Sequence, residues 1–325
     1  MDFKEVILSP VSAERERLIS LFISTLQSSN PLLSQVLDHL KLTSGKKMRP
    51  MLVLLAAKLF GEINDVTYNA AISLELLHNA SLVHDDVVDE SNERRGLPSV
   101  NAVYNNKVAV LSGDFLLATS LLEAYKTRNL RIIEIISQLG RELADGEILQ
   151  LYNNSNEEHS FEIYFKVIRK KTAVLFEACA AIGALSVNAS EEQIAIMRRF
   201  GELIGICYQI KDDIFDYISS SQQLGKPTGN DIQEGKLTLP ILYALNKTHD
   251  TEALRLAAKV KSRTVTPDEI AWLIRFTIEQ GGIKYAEKVM DDYRNEAHEL
   301  LLNLPENSVK VALLAYLDYV ILREK

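Results

Sequence analysis

Residues 74–90 read LELLHNASLVHDDVVDE, and this stretch decides the class of fold. Its apolar residues recur at three- and four-residue spacing from residue 74 to residue 83, which is typical of an α-helix. The same spacing continues along almost the whole chain, whereas β-branched residues never alternate for more than a few positions. The 325 residues include 14 glycines and 8 prolines, fewer than average, so the chain has few places to turn. The sequence therefore predicts an all-α protein built from long helices.

The boundaries between the predicted helices are short. Capping-box pairs mark two helix starts, Ser190 with Gln193 and Thr266 with Glu269. The breaks fall near Gly61, Leu97-Pro98, residues 153–155, residues 225–230, residues 248–249 and Pro305. No break is a long or low-complexity linker, and no repeat of about 20 to 50 residues is apparent. We therefore expect one large helical domain over residues 1–325.

Several predicted helices are apolar on most of their circumference. Examples are residues 52–60, 70–83 and 174–185. A helix that is apolar all round lies in the interior of a bundle or under a partner subunit. The pattern therefore predicts a buried core and is also compatible with a subunit interface.

Charge and cysteine content exclude several classes of protein. The chain has 36 Lys and Arg against 44 Asp and Glu, and a net charge of −8 argues against non-specific binding of nucleic acid or anionic membrane. Cys179 and Cys207 stand in apolar patterns without CxxC spacing, which favours buried thiols in a reducing compartment. The N-terminus lacks a basic region followed by an apolar stretch, and the longest apolar run, residues 51–57, is too short to span a bilayer. We expect a cytoplasmic protein without a transmembrane segment.

The first acidic cluster follows directly on the apolar helix of residues 74–83. On a helix, Asp85, Asp86 and Asp89 share one face, with Cβ atoms about 5 to 6 Å apart. Divalent cations between these carboxylates would relieve their repulsion, and hard oxygen ligands on a rigid helix suit Mg²⁺, with Mn²⁺ as an alternative. A lone DDxxD cluster is, however, more often a solvated acidic helix end.

A second DDxxD cluster changes that balance. Asp212, Asp213 and Asp216 end another apolar helical run, residues 204–210. Basic residues follow both clusters, namely Arg94 and Arg95 after the first and Lys226 and Lys236 after the second. A third basic stretch, residues 44–50, precedes an apolar helix. Metal-binding carboxylates beside several lysines and arginines are what a diphosphate requires, because metals and guanidinium groups neutralise different oxygens.

Five stretches together resemble the trans-isoprenyl diphosphate synthases of the polyprenyl synthetase family. They are residues 44–50 for the GGKRxRP-type loop, residues 85–89 followed by Arg94-Arg95-Gly96, the pair Lys171-Thr172, residues 209–216, and residues 225–240 for GKxxGxDxxxGKxTLP. The loop departs from the family pattern at Ser44 and Lys47, and Tyr208 stands where phenylalanine is common. The order and number of these motifs make chance similarity improbable.

The resemblance implies a fold, partners and roles for individual residues. The fold would be the all-α isoprenoid synthase bundle around a central cavity, as a homodimer. Lys46, Arg49, His78 and Arg95 would hold the diphosphate of isopentenyl diphosphate, and Arg94, Lys171 and Lys226 would hold the allylic diphosphate with the metals. Lys236 would also bind substrate. Asp85, Asp86, Asp89, Asp212, Asp213 and Asp216 would bind the metals. The oxygens of Thr172 and Gln209 would stabilise an allylic cation while the double bond of isopentenyl diphosphate attacks it.

Other interpretations remain for single residues and for the whole chain. Without the motifs, His78 would be a core histidine, and Thr172 and Gln209 would be ordinary buried hydrogen-bonding residues. A class I terpene cyclase also ionises a prenyl diphosphate, but it needs no second diphosphate pocket of the kind that Arg49 and Arg95 suggest. A non-catalytic subunit of a heteromeric synthase should have lost one acidic cluster, and both are complete. An unrelated helical scaffold is the remaining alternative.

Product length is predicted from residues just before the first cluster. Ala80 and Ser81 stand five and four residues before Asp85, where short-chain relatives place an aromatic ring. Two small side chains imply an open tunnel, which Leu77 narrows and Ile136 of a neighbouring helix ends. A helical turn of about 5.4 Å matches one isoprene unit, so we expect about six to eight units, as in quinone side chains, from a long-chain member of the octaprenyl type. Geranylgeranyl diphosphate is the alternative product. Membrane contact would be transient, for product release.

Overall fold

The computed structural model describes residues 3–43, 47–154, 159–218 and 228–323. The all-α prediction is confirmed, because these residues form helices apart from one short hairpin of β1 (Glu93–Arg94) and β2 (Leu97–Pro98). The helices up to residue 154 are α1 (Phe3–Leu8), α2 (Ser12–Thr25), α3 (Pro31–Thr43), α4 (Met48–Phe60), α5 (Asp65–Val88), α6 (Val100–Tyr104), α7 (Asn106–Lys126) and α8 (Leu130–Asn154). The later helices are α9 (Phe161–Ile168), α10 (Val174–Ser186), α11 (Glu191–Ile218), α12 (Asn230–Gln233), α13 (Leu239–Thr248), α14 (Thr251–Lys261), α15 (Pro267–Glu279), α16 (Gly282–Leu302) and α17 (Ser308–Leu322). A 3₁₀ turn (Ser9–Val11) links α1 to α2, and a π-helical turn (Arg169–Ala173) joins α9 to α10.

Both predicted capping boxes are present. The Gln193 amide nitrogen of the backbone donates to the Ser190 hydroxyl at 3.2 Å, and Ser190 N donates back to the Gln193 side chain at 2.9 Å. Thr266 and Glu269 form the same reciprocal pair at the start of α15. These bonds satisfy backbone donors that the first helical turn leaves without a partner.

The chain divides into two compact units, whereas the expectation of one domain over residues 1–325 stays a prediction. The first unit comprises Met1–Arg141, Leu175–Gly201 and Asn303–Tyr316. Helix α5 packs closely on α7 there. The Ser73 hydroxyl donates to Ser120 O and the Ser120 hydroxyl to Ser73 O, both at 2.8 Å. Small side chains with reciprocal bonds let the two backbones approach, and residues 70–78 of α5 are buried on every side of the helix.

The second unit comprises Glu142–Val174, Glu202–Leu302 and Leu317–Lys325. Its core is formed by apolar residues such as Ile232, Leu245 and Leu273. Two glycines allow neighbouring helices to approach the π-helical turn. A Cβ at Gly146 of α8 would lie 2.8 Å from Lys170 Cβ, and one at Gly205 of α11 would lie 2.9 Å from Ala173 Cβ. Any larger residue at either position would displace this turn.

Two further sequence expectations concern thiols and membrane spans. Cys179 and Cys207 are free and buried as predicted, and burial raises the pKa of each thiol to about 12. Among the described residues, α7 is the one helix long and apolar enough to cross a membrane by length and composition, and 39% of its most apolar window is buried. A core helix passes the same test, so α7 alone is weak support for a span.

Candidate active site

The first acidic cluster lies at the C-terminal end of α5. Asp85 is partly exposed, Asp89 is exposed and caps the helix, and Asp89 N donates to Asp85 O at 2.8 Å. These two carboxylates therefore share the solvent-facing side of the helix end. Asp86 points the other way and is only 4% exposed.

Asp86 is bound by the hairpin that follows α5. Arg94 Nε donates to Asp86 Oδ1 at 2.9 Å, and Arg94 Nη2 donates to the same oxygen at 2.5 Å. The backbone oxygen of Asp86 accepts from Ser91 N at 2.9 Å. The metal role of Asp86 and the substrate role of Arg94 stay predictions. In this structure the charges of the two side chains neutralise each other.

Arg95 and Gly96 form the two-residue turn of this hairpin. Their φ angles are +56° and +78°, as in the turn type whose twist fits a tight hairpin. Glycine adopts this region without strain, which explains the Gly of the RRG motif. The turn exposes Arg95 to solvent while Arg94 points to Asp86.

His78 lies in a buried, basic part of the first unit. Its Nε2 makes no hydrogen bond within the described residues. Burial, followed by the positive charges of Arg49, Arg95 and Arg94, holds the pKa of His78 well below its usual value. A neutral imidazole offers one N–H donor, which suits a phosphate oxygen beside these arginines.

Glu75 is a charged residue of this region that the motifs did not indicate. It is buried one turn before His78 on α5, and its Oε2 makes no hydrogen bond within the described residues. Burial raises the pKa of its carboxyl group, whereas Arg49, Lys47 and Arg95 oppose that rise. The basic residues therefore favour the charged form of Glu75, and burial opposes it.

Arg49 and Lys47 are oriented by aromatic rings. The Arg49 guanidinium lies 4.7 Å from the centroid of the Phe176 ring, and the Lys47 ammonium lies 3.9 Å from that of Phe22. Such contacts stabilise a cation through the ring quadrupole. Lys47, to which the sequence assigned no role, thus has a packing role. Lys46 lies outside the described residues.

The second acidic cluster lies near the C-terminal end of α11. Asp213 is 2% exposed, and its carboxylate accepts from the Tyr164 hydroxyl at 2.5 Å and from Gln209 Nε2 at 2.9 Å. Burial and the neighbouring charge of Asp231 raise the pKa of Asp213 well above its usual value. Both oxygens of this carboxylate are engaged inside the second unit.

Asp216 and Asp212 have different partners. Asp216 Oδ1 accepts from Asn230 N at 2.9 Å and its Oδ2 accepts from Asp231 N at 3.0 Å, so this side chain holds the start of α12. Asp212 Oδ1 accepts from Arg323 Nη2 at 2.5 Å. Arg323 also lies over the Tyr208 ring at 4.0 Å, and its side chain is 10% exposed.

The π-helical turn carries Lys171 and Thr172. Lys171 Nζ lies 2.5 Å from Glu147 Oε2, and the Thr172 hydroxyl donates to Gln209 Oε1 at 2.8 Å. A π turn inserts a residue into a helix and is frequent at functional sites. Here it brings Thr172 to the side chain of Gln209 on α11.

Lys171, Thr172 and Gln209 line a cavity of about 120 Å³ in the second unit. Its wall comprises Gln150, Asn153, Asn154, Tyr164, Val167, Ile168, Lys171, Thr172, Gln209, Asp213, Asp231, Lys236, Leu237 and Thr238. Lys236 is also paired with Glu234 at 2.5 Å. Burial raises the pKa of Asp231 to about 7. Lys226 lies outside the described residues.

The predicted chain-length residues are packed against their neighbours. Ala80, Leu77 and Ile136 are buried, and the Ser81 hydroxyl donates to His78 O at 2.9 Å. A Cβ built at Gly140 of α8 would lie 3.8 Å from Leu77 Cδ1. Helix α8 therefore runs beside α5 at this level, and the chain-length role of Ile136 stays a prediction.

The donor set fits a hard divalent cation. Within the described residues, no three acidic, histidine or cysteine side chains converge to hold a metal ion. Asp85 and Asp89 offer two carboxylates on one helix face, and Mg²⁺ is commonly bound by one or two carboxylates, with water and phosphate oxygens completing its shell. An incomplete protein shell of this kind suits a metal that arrives with a phosphorylated substrate.

Three comparisons with known proteins agree with this arrangement. Residues 30–276 match the family model described as polyprenyl synthetase. The chain is 36% identical to heptaprenyl diphosphate synthase component 2 of Bacillus subtilis over 298 residues, which are 91% of this chain and 84% of that protein. It is 52% identical to the crystal structure of geranylgeranyl pyrophosphate synthase from Bacteroides thetaiotaomicron, with a TM-score of 0.88 and coverage of 99% and 100%. It is 30% identical to polyprenyl synthase from Caulobacter crescentus, complexed with calcium and isoprenyl diphosphate, with a TM-score of 0.92 and coverage of 99% and 98%.

Proposed function

Because the chain belongs to the polyprenyl synthetase family, we propose that it condenses isopentenyl diphosphate with farnesyl or geranylgeranyl diphosphate to make a longer all-trans polyprenyl diphosphate. It is a prenyltransferase with the all-helical isoprenoid synthase fold. The proposed product has about six to eight isoprene units, since each helical turn of the tunnel admits one unit.

One observation carries the choice of reaction. Each unit has its own acidic helix end with basic residues near it, Asp86 paired with Arg94 in the first and Asp213 lining one cavity with Lys171 and Lys236 in the second. Two such groups support two phosphorylated substrates, which a terpene cyclase does not use. The imidazole of His78 is buried, and its Nε2 makes no hydrogen bond within the described residues, which supports a phosphate contact in the first unit.

The family uses a divalent metal, and we propose Mg²⁺, with Mn²⁺ as an alternative. We propose Asp85 and Asp89 in the first unit and Asp212 in the second unit as metal ligands; Asp86, Asp213 and Asp216 bind protein donors, and Arg323 would have to share Asp212 with the metal. When bound, the metal supplies Lewis-acid polarisation of the leaving diphosphate. Lys171 would hold a diphosphate oxygen and orient the allylic group toward the cavity.

Residues of this chain would stabilise the positive charge that develops on the allylic carbon. The allylic C–O bond breaks with its electron pair going to the diphosphate, and the double bond of isopentenyl diphosphate forms the new C–C bond. Gln209 Oε1 and the Thr172 hydroxyl line the cavity and would stabilise the positive charge on carbon. The released diphosphate would take the proton that leaves.

A single incubation tests the reaction. The protein is supplied with radiolabelled isopentenyl diphosphate, farnesyl diphosphate and Mg²⁺, and product length is read by chromatography. We expect products longer than four units and none in excess chelator. Activity that persists in chelator would contradict the metal role, and absence of any condensation would contradict the function.

Geranylgeranyl diphosphate is the second candidate product. The 52% identical structure is described as a geranylgeranyl pyrophosphate synthase, which favours this shorter product. The small residues Ala80 and Ser81 and the heptaprenyl synthase component from Bacillus subtilis favour the longer one. Accumulation of a four-unit product from farnesyl diphosphate would decide for the second candidate.

We also propose that two copies of the chain form a cytoplasmic homodimer. One side of α7 exposes the apolar residues Val110, Leu111, Leu117, Leu121, Leu122 and Tyr125. These residues lie on one face of α7 that also carries the exposed Asp114, and a second copy that covered this face would explain why α7 is apolar enough to resemble a span. Light scattering that gives a 36.5 kDa monomer at micromolar concentration would contradict the dimer.

A further inference from the structure

Four side chains of the second unit form one hydrogen-bonded series along the cavity. The Tyr164 hydroxyl donates to Asp213 Oδ2 at 2.5 Å, Gln209 Nε2 donates to Asp213 Oδ1 at 2.9 Å, and the Thr172 hydroxyl donates to Gln209 Oε1 at 2.8 Å. The series joins α9, α11 and the π-helical turn. All four residues line the same cavity of about 120 Å³.

Tyr164 is built into the core of this unit. It is 6% exposed, and its ring meets that of Phe165 edge to face at 5.2 Å between centroids. Its hydroxyl donates a hydrogen bond to the Asp213 carboxylate. The motifs did not indicate Tyr164, and the reaction proposed above assigns it no role.

The side-chain amide of Gln209 carries an oxygen and an NH₂ group, and its hydrogen-bond partners determine the direction in which each group points. Its NH₂ group is paired with the carboxylate of Asp213, which turns Oε1 toward Thr172 and the cavity. The flipped amide would set two oxygens against each other and direct N–H groups at the cavity. Oε1 stabilises a positive charge on the allylic carbon, whereas N–H groups would oppose it.

We propose that Tyr164 is a positioning residue for the condensation: by holding Asp213, it keeps the carbonyl oxygen of Gln209 directed at the allylic carbon. This inference rests on the proposed prenyl transfer. The Tyr164 hydroxyl binds Asp213 Oδ2, and Asp213 Oδ1 binds the NH₂ group of Gln209. Gln209 Oε1 would then face the positive charge on the allylic carbon. Without the phenol hydroxyl, the carboxylate can rotate and the amide loses its fixed orientation.

The first test uses Tyr164→Phe, which keeps the ring and removes the hydroxyl. We expect kcat to fall about tenfold while KM for each substrate changes less than about twofold, because only the charged transition state loses stabilisation. Tyr217→Phe is the matched control. Tyr217 is also buried in this unit, but its hydroxyl lies 3.3 Å from that of Thr238 and makes no bond to Asp213 within the described residues. An unchanged kcat in Tyr164→Phe would overturn the proposal.

A double-mutant cycle tests the path through Gln209. We expect Gln209→Leu to lower kcat more than Tyr164→Phe does, and the double variant to match Gln209→Leu alone, since the orienting bond then has nothing left to orient. Fully additive losses would mean that Tyr164 acts elsewhere and would overturn the proposal.

Binding of two inert analogues separates positioning from general damage. One is an allylic thiodiphosphate, which is uncharged at carbon, and the other carries an ammonium nitrogen in place of the cationic carbon. Calorimetry should show about tenfold weaker binding of the ammonium analogue to Tyr164→Phe, with unchanged binding of the thiodiphosphate. Equal weakening of both would indicate a structural role and overturn the inference. Failure of the proposed function is distinguishable, because the wild type would then condense no substrates at all.

Discussion

Asp86 on α5 and Arg94 on β1 form a two-bond ion pair in which Arg94 Nε and Nη2 both donate to Asp86 Oδ1, at 2.9 and 2.5 Å. The second cluster has a parallel arrangement, because its middle aspartate, Asp213, is held by Tyr164. In both clusters the second carboxylate is buried and bound by protein donors. In the first cluster, Asp86 fixes the helix end while Asp85 and Asp89 lie on its solvent-facing side. In the second cluster, Asp216 also binds protein donors, and Asp212 is paired with Arg323.

This division predicts opposite consequences for neighbouring substitutions. Asp85→Ala should cut turnover by orders of magnitude and leave stability close to wild type, because Asp85 lies at the partly exposed helix end. Asp86→Ala should lower the free energy of unfolding by about 2 kcal/mol, because Arg94 would lose the buried carboxylate that it pairs with. Urea unfolding and steady-state kinetics of both variants measure the two effects. Equal stability losses would contradict the division of roles.

The basic residues should separate the two substrates. Arg49→Ala should mainly raise KM for isopentenyl diphosphate, whereas Lys171→Ala should mainly raise KM for the allylic diphosphate, because the cations lie in different units. Lys170→Ala is a control on the same π-helical turn, since Lys170 is paired with Glu142 and Asp145. Initial rates with each substrate varied in turn measure these constants. If Arg49→Ala and Lys171→Ala affect both substrates equally, the two pockets are not distinct.

His78 should make the protein sensitive to acid. Its pKa is lowered well below 6.5 by burial and by three arginines, so the unfolded chain binds more protons in the window between the two values. The free energy of unfolding should therefore fall as the pH falls through 6.5 toward the lowered pKa. His78→Gln should flatten this dependence, whereas His298→Gln, at an exposed position, should leave it unchanged. Thermal melts between about pH 5 and pH 7.5 compare the three proteins, and identical slopes would contradict the assignment.

Arg323 should compete with the metal for Asp212. Its guanidinium binds Asp212 Oδ1, a proposed metal-ligand oxygen. Arg323→Gln should lower the Mg²⁺ concentration for half-maximal activity about two- to fivefold, which corresponds to the modest free energy of a partly exposed ion pair. Arg294→Gln, which breaks a pair with Asp318, is the control. A higher Mg²⁺ requirement in Arg323→Gln would mean that Arg323 helps to form the metal site.

Local sequence patterns were enough to predict the fold. The features of the site that they did not predict depend on contacts between residues that are distant in sequence. Periodicity sufficed for α5, and side-chain caps such as Thr266 with Glu269 sufficed for helix starts. The prediction that Asp85, Asp86 and Asp89 share one face is wrong for Asp86. Asp86 follows the buried residues Ala80 and Val83 at three-residue spacing and pairs there with Arg94. Tyr164 meets Asp213 across 49 positions and Arg323 meets Asp212 across 111, and no local pattern indicates such pairs.

The last prediction concerns product length. Ser81 is partly exposed one turn before Asp85, whereas Ala80 is buried, so a phenylalanine is accommodated better at position 81. Ser81→Phe should shorten the product to about three or four units with metal dependence retained, because the ring fills one turn of the tunnel, about 5.4 Å, without touching the carboxylates. Ser81→Ala removes the bond to His78 O without adding bulk and should leave the length unchanged. Chromatography of labelled products compares the three proteins. If wild type stops at farnesyl diphosphate, or if Ser81→Phe makes the wild-type product, the tunnel does not pass residue 81.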